Sequence, residues 1–226
     1  MGKTIDFEIE EAVRIAAPQL AVDVVEARVV NAPTTDELWA EITRAAADLH
    51  ACIPMEQVNK RPAIAATRAA YKALGKEPNR YRPSAEALCR RCVKGLELYR
   101  SLSIIDLINL LSILTGHSIG GFDRDKLQGE VLCLGVGAEG EPYDAIGRGP
   151  LNIHCLPVIR DAVGGIGTPT SDNERTKLEP STTRLLMTIN LYSGAADIDA
   201  VEALTRRLLE QYAAATDISF TRYGNT

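Results

Sequence analysis

A histidine, a polar segment and a group of arginines are the side chains of this sequence whose types and spacing could do chemistry. The histidine is His117, which directly follows a glycine that ends an apolar helical pattern. Because imidazole titrates near neutral pH, His117 is a candidate acid–base group. A lone histidine at a helix end is also commonly structural, and no nucleophile and orienting acid stand at a spacing that specifies a catalytic triad. Both roles stay open.

The polar segment is "TPTSDNERTKLEPSTT" (168–183), which crowds hydroxyl groups and charges between two apolar runs. Its composition fits either a solvated loop or the polar lining of a pocket. The candidate site residues in it are Ser171, Asp172 and Thr176.

The arginine group lies in "NRYRPSAEALCRR" (79–91), where Arg80, Tyr81 and Arg82 stand just before a helix that Ser84 begins. Backbone N–H groups of a first helical turn, flanking guanidinium groups and a tyrosine ring would suit a phosphate and a stacked base. Two more cations, Arg90 and Arg91, follow about two turns later. The alternative is that Tyr81 packs internally and the arginines pair with Glu86 and other carboxylates.

The charge of the chain is spread unevenly. Residues 60–100 hold eleven Lys and Arg against three Glu, which gives this window +8, whereas the formal net charge of −5 leaves −13 for the remainder. Such asymmetry in an acidic protein suggests an anionic partner at one face, nucleic acid above all. A solvated helical face that is balanced by acidic neighbours in space would give the same pattern.

Several function classes lack their motifs. The sequence has no P-loop, HExxH or GxSxG motif, and "GVGAEG" (135–140) lies between strand-like runs, which favours a hairpin turn over a dinucleotide loop. "CRRC" (89–92) has no second cysteine pair at zinc spacing. We therefore expect no metal and no cofactor. No apolar run is long enough to span a bilayer, and "MGKTIDFEIE" does not resemble a signal peptide, so we expect a cytoplasmic protein without membrane partners.

The elements that must position these residues follow in an ordered series. Alternating or Val-rich runs predict strands at 4–10 and 20–30, and apolar periodicity predicts helices at 34–50, 61–75, 84–98 and 103–116. Thr34 and Glu37 stand at capping-box spacing at the start of the first helix. Three β-type runs follow at 130–136, 156–163 and 182–193, and a helix at 197–216 closes the chain. This segregation predicts an α+β fold with a mostly antiparallel sheet and flanking helices, in one domain over 1–226.

The stretch "SIIDLINLLSILTGHSIGGFDRDKLQGEV" (103–131) resembles a signature of the phenylalanyl-tRNA synthetase β chain. The residues that carry this resemblance are Asp106, Asn109, Gly116, Phe122, Asp123, Lys126, Leu127 and Gly129. They belong to that chain's B-three/B-four domain, which hydrolyses tyrosine wrongly attached to the phenylalanine tRNA. The segments "RAAYKALGKEPNRYRPSAEALCRR" (68–91) and "SDNERTKLEPSTT" (171–183) resemble a free-standing bacterial branch of that family, so the resemblance covers about residues 50–192.

The resemblance implies a pocket for an aminoacyl ester at the end of a tRNA, with hydrolysis that depends on positioning the ester and a water. On this basis Arg80, Arg82, Arg90 and Arg91 hold phosphates and Tyr81 stacks on the terminal adenosine. The residues implied to order the pocket and to orient the ester and water are Asn109, Asp123, His117, Ser171, Asp172 and Thr176. Further residues expected to contact the substrate are Ser84, Glu86, Gly120 and Phe122. One departure is Gly120, which stands where the synthetase pattern has histidine.

Two hypotheses follow for the function. One is a deacylase that clears mischarged aminoacyl-tRNA in trans, without the rest of a synthetase. The other is a non-catalytic module that binds tRNA, an amino acid or an aminoacyl-nucleotide, as the loss of the histidine at Gly120 suggests. The amino acid, the tRNA and the oligomeric state are left open by the sequence.

Overall fold

A run of helices and then a run of strands make up most of the computed structural model, which describes residues 5–225. The helices are α1 (Glu11–Ala16), α2 (Asp36–Cys52), α3 (Pro62–Ala73), α4 (Ser84–Val93), α5 (Ser103–Thr115) and α6 (Ile198–Ala213). The strands are β1 (Asp6–Ile9), β2 (Ala21–Arg28), β3 (Ser118–Asp123), β4 (Val131–Val136), β5 (Asp144–Ala145), β6 (Gly149–Pro150), β7 (Pro157–Arg160), β8 (Gly165–Gly167), β9 (Arg184–Leu191) and β10 (Thr216–Gly224). Short 3-10 turns cover Met55–Lys60, Arg124–Lys126 and Glu174–Thr176.

The larger strands form two four-stranded sheets. The first has the order β10-β2-β9-β3 and is antiparallel throughout, with Val25 opposite Met187 and Gly120 opposite Thr188. The second has the order β1-β4-β7-β8, in which only the β1–β4 pair is parallel. The α+β class and the mostly antiparallel pairing expected from the sequence are confirmed.

Strand β9 shows how the layers stack. Both of its faces are buried, because Met187 and Ile189 pack in a core with α2, α5 and α6, whereas Leu186 packs in a second core with β1 and β4. The first sheet therefore lies between a layer of helices and the second sheet. Since alternate residues of a strand point to opposite faces, two buried faces give β9 an almost continuous apolar sequence.

Some element boundaries differ from the sequence expectation. The helix expected at 84–98 ends at Val93, because Gly95 adopts a φ of +66° that favours glycine. Helix α2 is capped by Thr35, whose hydroxyl accepts from Leu38 N–H, while Thr34 donates to Asp106 instead. The loop at 135–140 is not a hairpin turn, since β4 pairs with β7 some twenty residues later.

Five strands were not expected from the sequence, and two of them, β5 and β6, have only two residues each. Strand β3 runs through "SIGGFD", where no strand was predicted, and β10 follows the helix that was expected to close the chain. Strand β8 consists of "GIG". The expected strand at 4–10 is present as β1, although Thr4 lies outside the described residues.

Within residues 5–225, no helix is long and apolar enough to cross a membrane, and no cluster of His, Cys, Asp and Glu could hold a metal ion. Both cysteines of the CxxC motif are buried free thiols, and burial raises the pKa of Cys92 to about 11. They pack as small side chains.

Candidate functional site

A cavity of about 220 Å³, called the inner pocket below, lies between α5, β3 and the segment that follows β8. Its apolar wall is formed by Ile105, Ile108, Ile119, Ile146 and Leu178. Its polar lining is formed by Ser84, Asn109, Thr168, Ser171, Asp172 and Lys177. The pocket therefore combines a surface for an apolar group with several groups that can orient a polar one.

The period of β3 decides which glycine faces the inner pocket. Gly121 faces it, and a Cβ there would lie 2.5 Å from Ile108 Cδ1. Gly120 faces the second sheet, where a Cβ would lie 2.7 Å from Phe122 Cζ. The position that carries histidine in the synthetase pattern thus points away from the inner pocket in this chain.

Asp172 is the carboxylate of the inner pocket. Its Oδ2 accepts a hydrogen bond from Gly121 N–H, with 3.2 Å between the nitrogen and the oxygen. Burial raises the pKa of Asp172 to about 7, and the Gly121 hydrogen bond only partly opposes this shift. A carboxylate that is about half ionised at neutral pH can bind an ammonium group or accept a proton from water.

The turn before Asp172 is fixed by hydrogen bonds. Ser171 O accepts from Tyr143 OH at 2.7 Å and from Thr168 Oγ1 at 3.0 Å. Ser171 N–H and Thr170 N–H donate to Thr168 Oγ1, and Thr170 Oγ1 lies 2.9 Å from Tyr71 OH. Because Ser171 and Asp172 lie on this fixed turn, their side chains have little freedom to leave the pocket wall.

A second depression of about 510 Å³, called the basic groove below, adjoins the inner pocket. The two share Ser84 and Asn109 as lining residues. The cations of the groove are Arg82, Arg90, Arg91, Lys94 and Arg148, and its aromatic residue is Tyr99. A ligand with an anionic part and an uncharged end could therefore occupy both depressions.

Glu86 holds the arginines at the base of the groove. Its side chain is fully buried, Oε2 accepts from Arg68 at 2.8 Å and Oε1 accepts from Arg90 Nε at 2.7 Å. Arg82 Nε lies 3.6 Å from the same Oε1. One carboxylate faces three guanidinium groups, so Glu86 positions the arginines without neutralising them. The predicted binding of ligand by Glu86 has no support in this geometry, since both oxygens face arginines.

His117 lies outside both depressions. It is 1% exposed, and its Nε2 is 3.7 Å from Asp197 Oδ2, which is too long for a hydrogen bond. Burial lowers the pKa of His117, and Asp197 partly opposes that shift. The structure places this histidine between α5 and the start of α6, where it does not reach Asn109 or Ser171.

Tyr81 and its neighbour Arg80 also lie outside the basic groove. The ring of Tyr81 is covered by Lys76 Nζ, 3.7 Å from the ring centroid, and packs beside Tyr71 and Tyr143. Arg80 lies over the same ring at 5.6 Å. The face of this tyrosine is thus occupied by the protein's own cations.

The remaining predicted site residues support the frame. Phe122 is fully buried in the core between the sheets, and Asp123 accepts from Thr182 Oγ1 at 2.8 Å. Asp123 also caps the turn at 124–126 through Asp125 N–H. Thr176 is fully buried at the end of the turn Glu174–Thr176. Ser84, Asn109, Ser171, Asp172 and the three arginines at 82, 90 and 91 are the predicted residues that the structure brings together.

Sequence reasoning missed Tyr99, Lys94, Arg148 and Gly121. A signal for Tyr99 and Lys94 exists, since "KGLELYR" (94–100) places an aromatic residue among cations. Arg148 has no such signal, because it reaches the groove from a β5–β6 hairpin more than fifty residues away.

A family model described as "B3/4 domain" matches residues 66–208, more than half of the chain. No curated protein matches the chain. A similar solved structure is an N-terminal fragment of the phenylalanyl-tRNA synthetase beta-subunit from Pyrococcus horikoshii, with 9% identity and a TM-score of 0.46. That alignment covers 99% of this chain and 56% of the fragment, so this chain spans little more than half of the fragment's length.

Proposed function

The chain belongs to the B3/4 domain family, and from this membership we propose that it binds the aminoacylated end of a tRNA and hydrolyses the aminoacyl ester in the inner pocket. The membership agrees with the B-three/B-four resemblance of the sequence. One observation carries the proposal: a pocket with a partly ionised carboxylate, Asp172, shares its wall with a groove of five cations.

Each part of an aminoacyl ester finds a suitable group in the inner pocket. The apolar wall formed by α5 and β3 suits an amino-acid side chain. Asn109 and Ser171 offer hydrogen bonds to the ester and to a water molecule. Asp172, at the wall, suits either the α-ammonium group or the attacking water.

In the proposed reaction a water oxygen bonds to the ester carbonyl carbon while Asp172 accepts a proton from that water. The bond between this carbon and the ribose oxygen then breaks, and the proton passes to the ribose oxygen. Amino acid and tRNA are released. His117 takes no part, because it lies beside Asp197 and lines neither depression.

The test is deacylation of a panel of tRNAs, each charged with one amino acid, tyrosine included. We expect the purified protein to hydrolyse at least one member faster than buffer. Asp172→Asn should lower that rate by roughly 100-fold or more, since general-base catalysis contributes on this scale. Asp197→Asn is the matched control, because it removes the carboxylate beside His117 and should leave the rate unchanged. Rates equal to buffer across the whole panel would refute hydrolysis.

A non-catalytic binding module is the second candidate. The observation in its favour is that, among the described residues, the lining of the inner pocket holds no histidine or cysteine. This candidate is tested by calorimetric titration with an aminoacyl-adenosine whose ester is replaced by an amide. Binding that Asp172→Asn weakens, together with no turnover of any charged tRNA, would support the module over the enzyme.

A further inference from the structure

We infer that the basic groove binds the single-stranded end of an RNA, with Tyr99 as the platform for a base and Arg148 and Lys94 as phosphate contacts. This inference rests on the proposed function, since it supplies the strand to which the ester in the inner pocket is attached. It assigns the stacking role to Tyr99, which was not among the predicted site residues, and not to Tyr81.

The positive charge of the groove is only partly compensated. Arg82 and Arg90 share the single buried carboxylate of Glu86 with Arg68. Arg91 Nε donates to a backbone oxygen, Glu97 O, which carries no net charge. Cations gathered this closely raise the local concentration of anions and bind phosphates with release of counterions.

Tyr99 is placed to stack on a base. The residue is 79% exposed, and the guanidinium of Arg91 lies 4.5 Å from its ring centroid. A base can therefore add to an existing stack of guanidinium and phenol ring, as in other single-strand sites. A large aromatic ring left this exposed gains little from folding. Tyr81, in contrast, has its ring beneath Lys76.

Arg148 brings positive charge from a different part of the chain. It lies on the β5–β6 hairpin, between Gly147 at φ +67° and Gly149 at φ +71°. The hairpin is attached to the inner pocket, because Ile146 N–H donates to Asp172 O at 3.0 Å. The groove thus has cations both on α4 and on this hairpin, as expected for a channel that a strand follows.

The shape of the site favours the end of a strand. The groove of about 510 Å³ meets the inner pocket of about 220 Å³ at Ser84 and Asn109, and the inner pocket ends against α5 and β3. A free phosphate would use one or two of the five cations. Consecutive phosphates would use all of them and leave the terminal sugar at the mouth of the inner pocket.

The experiment measures binding of a fluorescein-labelled RNA octamer that ends in CCA and carries no amino acid, by anisotropy at several salt concentrations. Tyr99→Ala should weaken binding by about 5- to 100-fold, and Tyr99→Phe should restore it to within about twofold of the wild type. Arg148→Gln and Lys94→Gln should each weaken binding and reduce the salt slope by about 0.7. The control is Arg206→Gln. It alters an exposed arginine of α6 that lies over Phe220 and does not line the groove.

Three results would overturn the inference: no binding of the octamer at low salt, equal binding of Tyr99→Ala and wild type, or competition by AMP or polyphosphate as effective as by unlabelled octamer. The probe has no ester, so its binding is independent of hydrolysis. Octamer binding without deacylation would refute the proposed hydrolysis and support RNA binding by the groove. Deacylation at the same rate in Tyr99→Ala and wild type would refute the role of the groove and support the proposed hydrolysis.

Discussion

Asp172 carries a carboxylate that the protein stabilises with a hydrogen bond from Gly121 N–H and does not surround with cations. The folded protein therefore favours the neutral form of this residue, in contrast to Asp161, whose pKa the Arg175 guanidinium and backbone N–H groups lower despite burial. Burial of this carboxylate destabilises its ionised form. A ligand's ammonium group would stabilise that form, and a reacting water could give it a proton.

The raised pKa of Asp172 makes the free energy of unfolding decrease as the pH rises. The pKa of Asp172 is raised from 3.8 to about 7 on folding. Asp172 therefore leaves stability unaffected below about pH 4, lowers it as the pH rises towards 7, and adds no further loss above that. The free energy of unfolding of Asp172→Asn should exceed that of the wild type increasingly over this range, by at most about 1.4 kcal/mol per pH unit. Urea titrations at pH 4, 5.5, 7 and 8.5 would show this, and a pH-independent difference would contradict it.

We predict that replacement of the Glu86 carboxylate strongly destabilises the protein. Glu86→Gln keeps the shape of the side chain but removes the charge that faces Arg68, whose side chain is 11% exposed. Breaking one partner of a buried ion pair costs about 3–5 kcal/mol. Chemical denaturation should show a loss on this scale, whereas Glu174→Gln, which breaks a pair with Lys177 at the surface, should change stability little. Equal effects of the two variants would show that Glu86 does not organise the arginines.

At the scale of elements, strand β3 determines what a side chain at position 120 can reach. Its alternation sends Ile119 and Gly121 towards the inner pocket and Gly120 towards Phe122. The side chain at 120 is thus excluded from the pocket by the period of the strand, as well as by the space that the Phe122 ring occupies.

Gly120→His tests this geometry. We expect the histidine to collide with the Phe122 ring, to destabilise the protein by roughly 1–3 kcal/mol and to add nothing to deacylation. Thermal unfolding and the charged-tRNA panel measure both effects. An increase in the deacylation rate would mean that residue 120 reaches the pocket after all.

The sequence predicted most helices because their apolar stripes are long and their ends carry Pro or Gly, as Pro62 and Gly116 show for α3 and α5. It missed β3 and β8 because "GG" and "GIG" have low strand propensity. In β3, packing of Phe122 and Ile108 requires residues without side chains, which tertiary structure alone reveals. Strand β10 has mostly half-exposed side chains and hence a weak apolar signal.

Spacing alone predicted the site only where its residues are close in sequence, whereas Asn109, Ser171 and Asp172 were named from the family resemblance. Arg82, Ser84, Arg90 and Arg91 come from one helix and its start, so their spacing showed that they share a flank. The role of His117 stayed open and Arg148 was missed for the same reason: whether a side chain reaches a cavity depends on which distant segments fold around it. The buried ion pairs of Glu86 likewise needed the fold to bring Arg68 close.

At the scale of the whole molecule, the central strand β9 and the β5–β6 hairpin beside the site differ in their pairing and burial. Strand β9 is paired on both sides and buried on both faces, whereas the β5–β6 hairpin is two residues per strand with Ile146 and Arg148 exposed. We expect the amides of 144–149 to exchange with deuterium at least about 100-fold faster than those of β9. Exchange mass spectrometry with and without the RNA octamer would test this, and equal rates in the two segments would refute it.

The uneven charge described at the outset also bears on how a partner arrives. The residues outside the window 60–100 carry a charge of −13, whereas the basic groove gathers five cations, so a polyanion that diffuses towards this molecule is repelled by the acidic remainder and attracted at the groove. The collision that succeeds is thereby selected by orientation before any contact forms. Added salt would screen the repulsion together with the attraction. It would therefore lower the rate of productive encounters and, at the same time, raise the share of collisions that meet the wrong face.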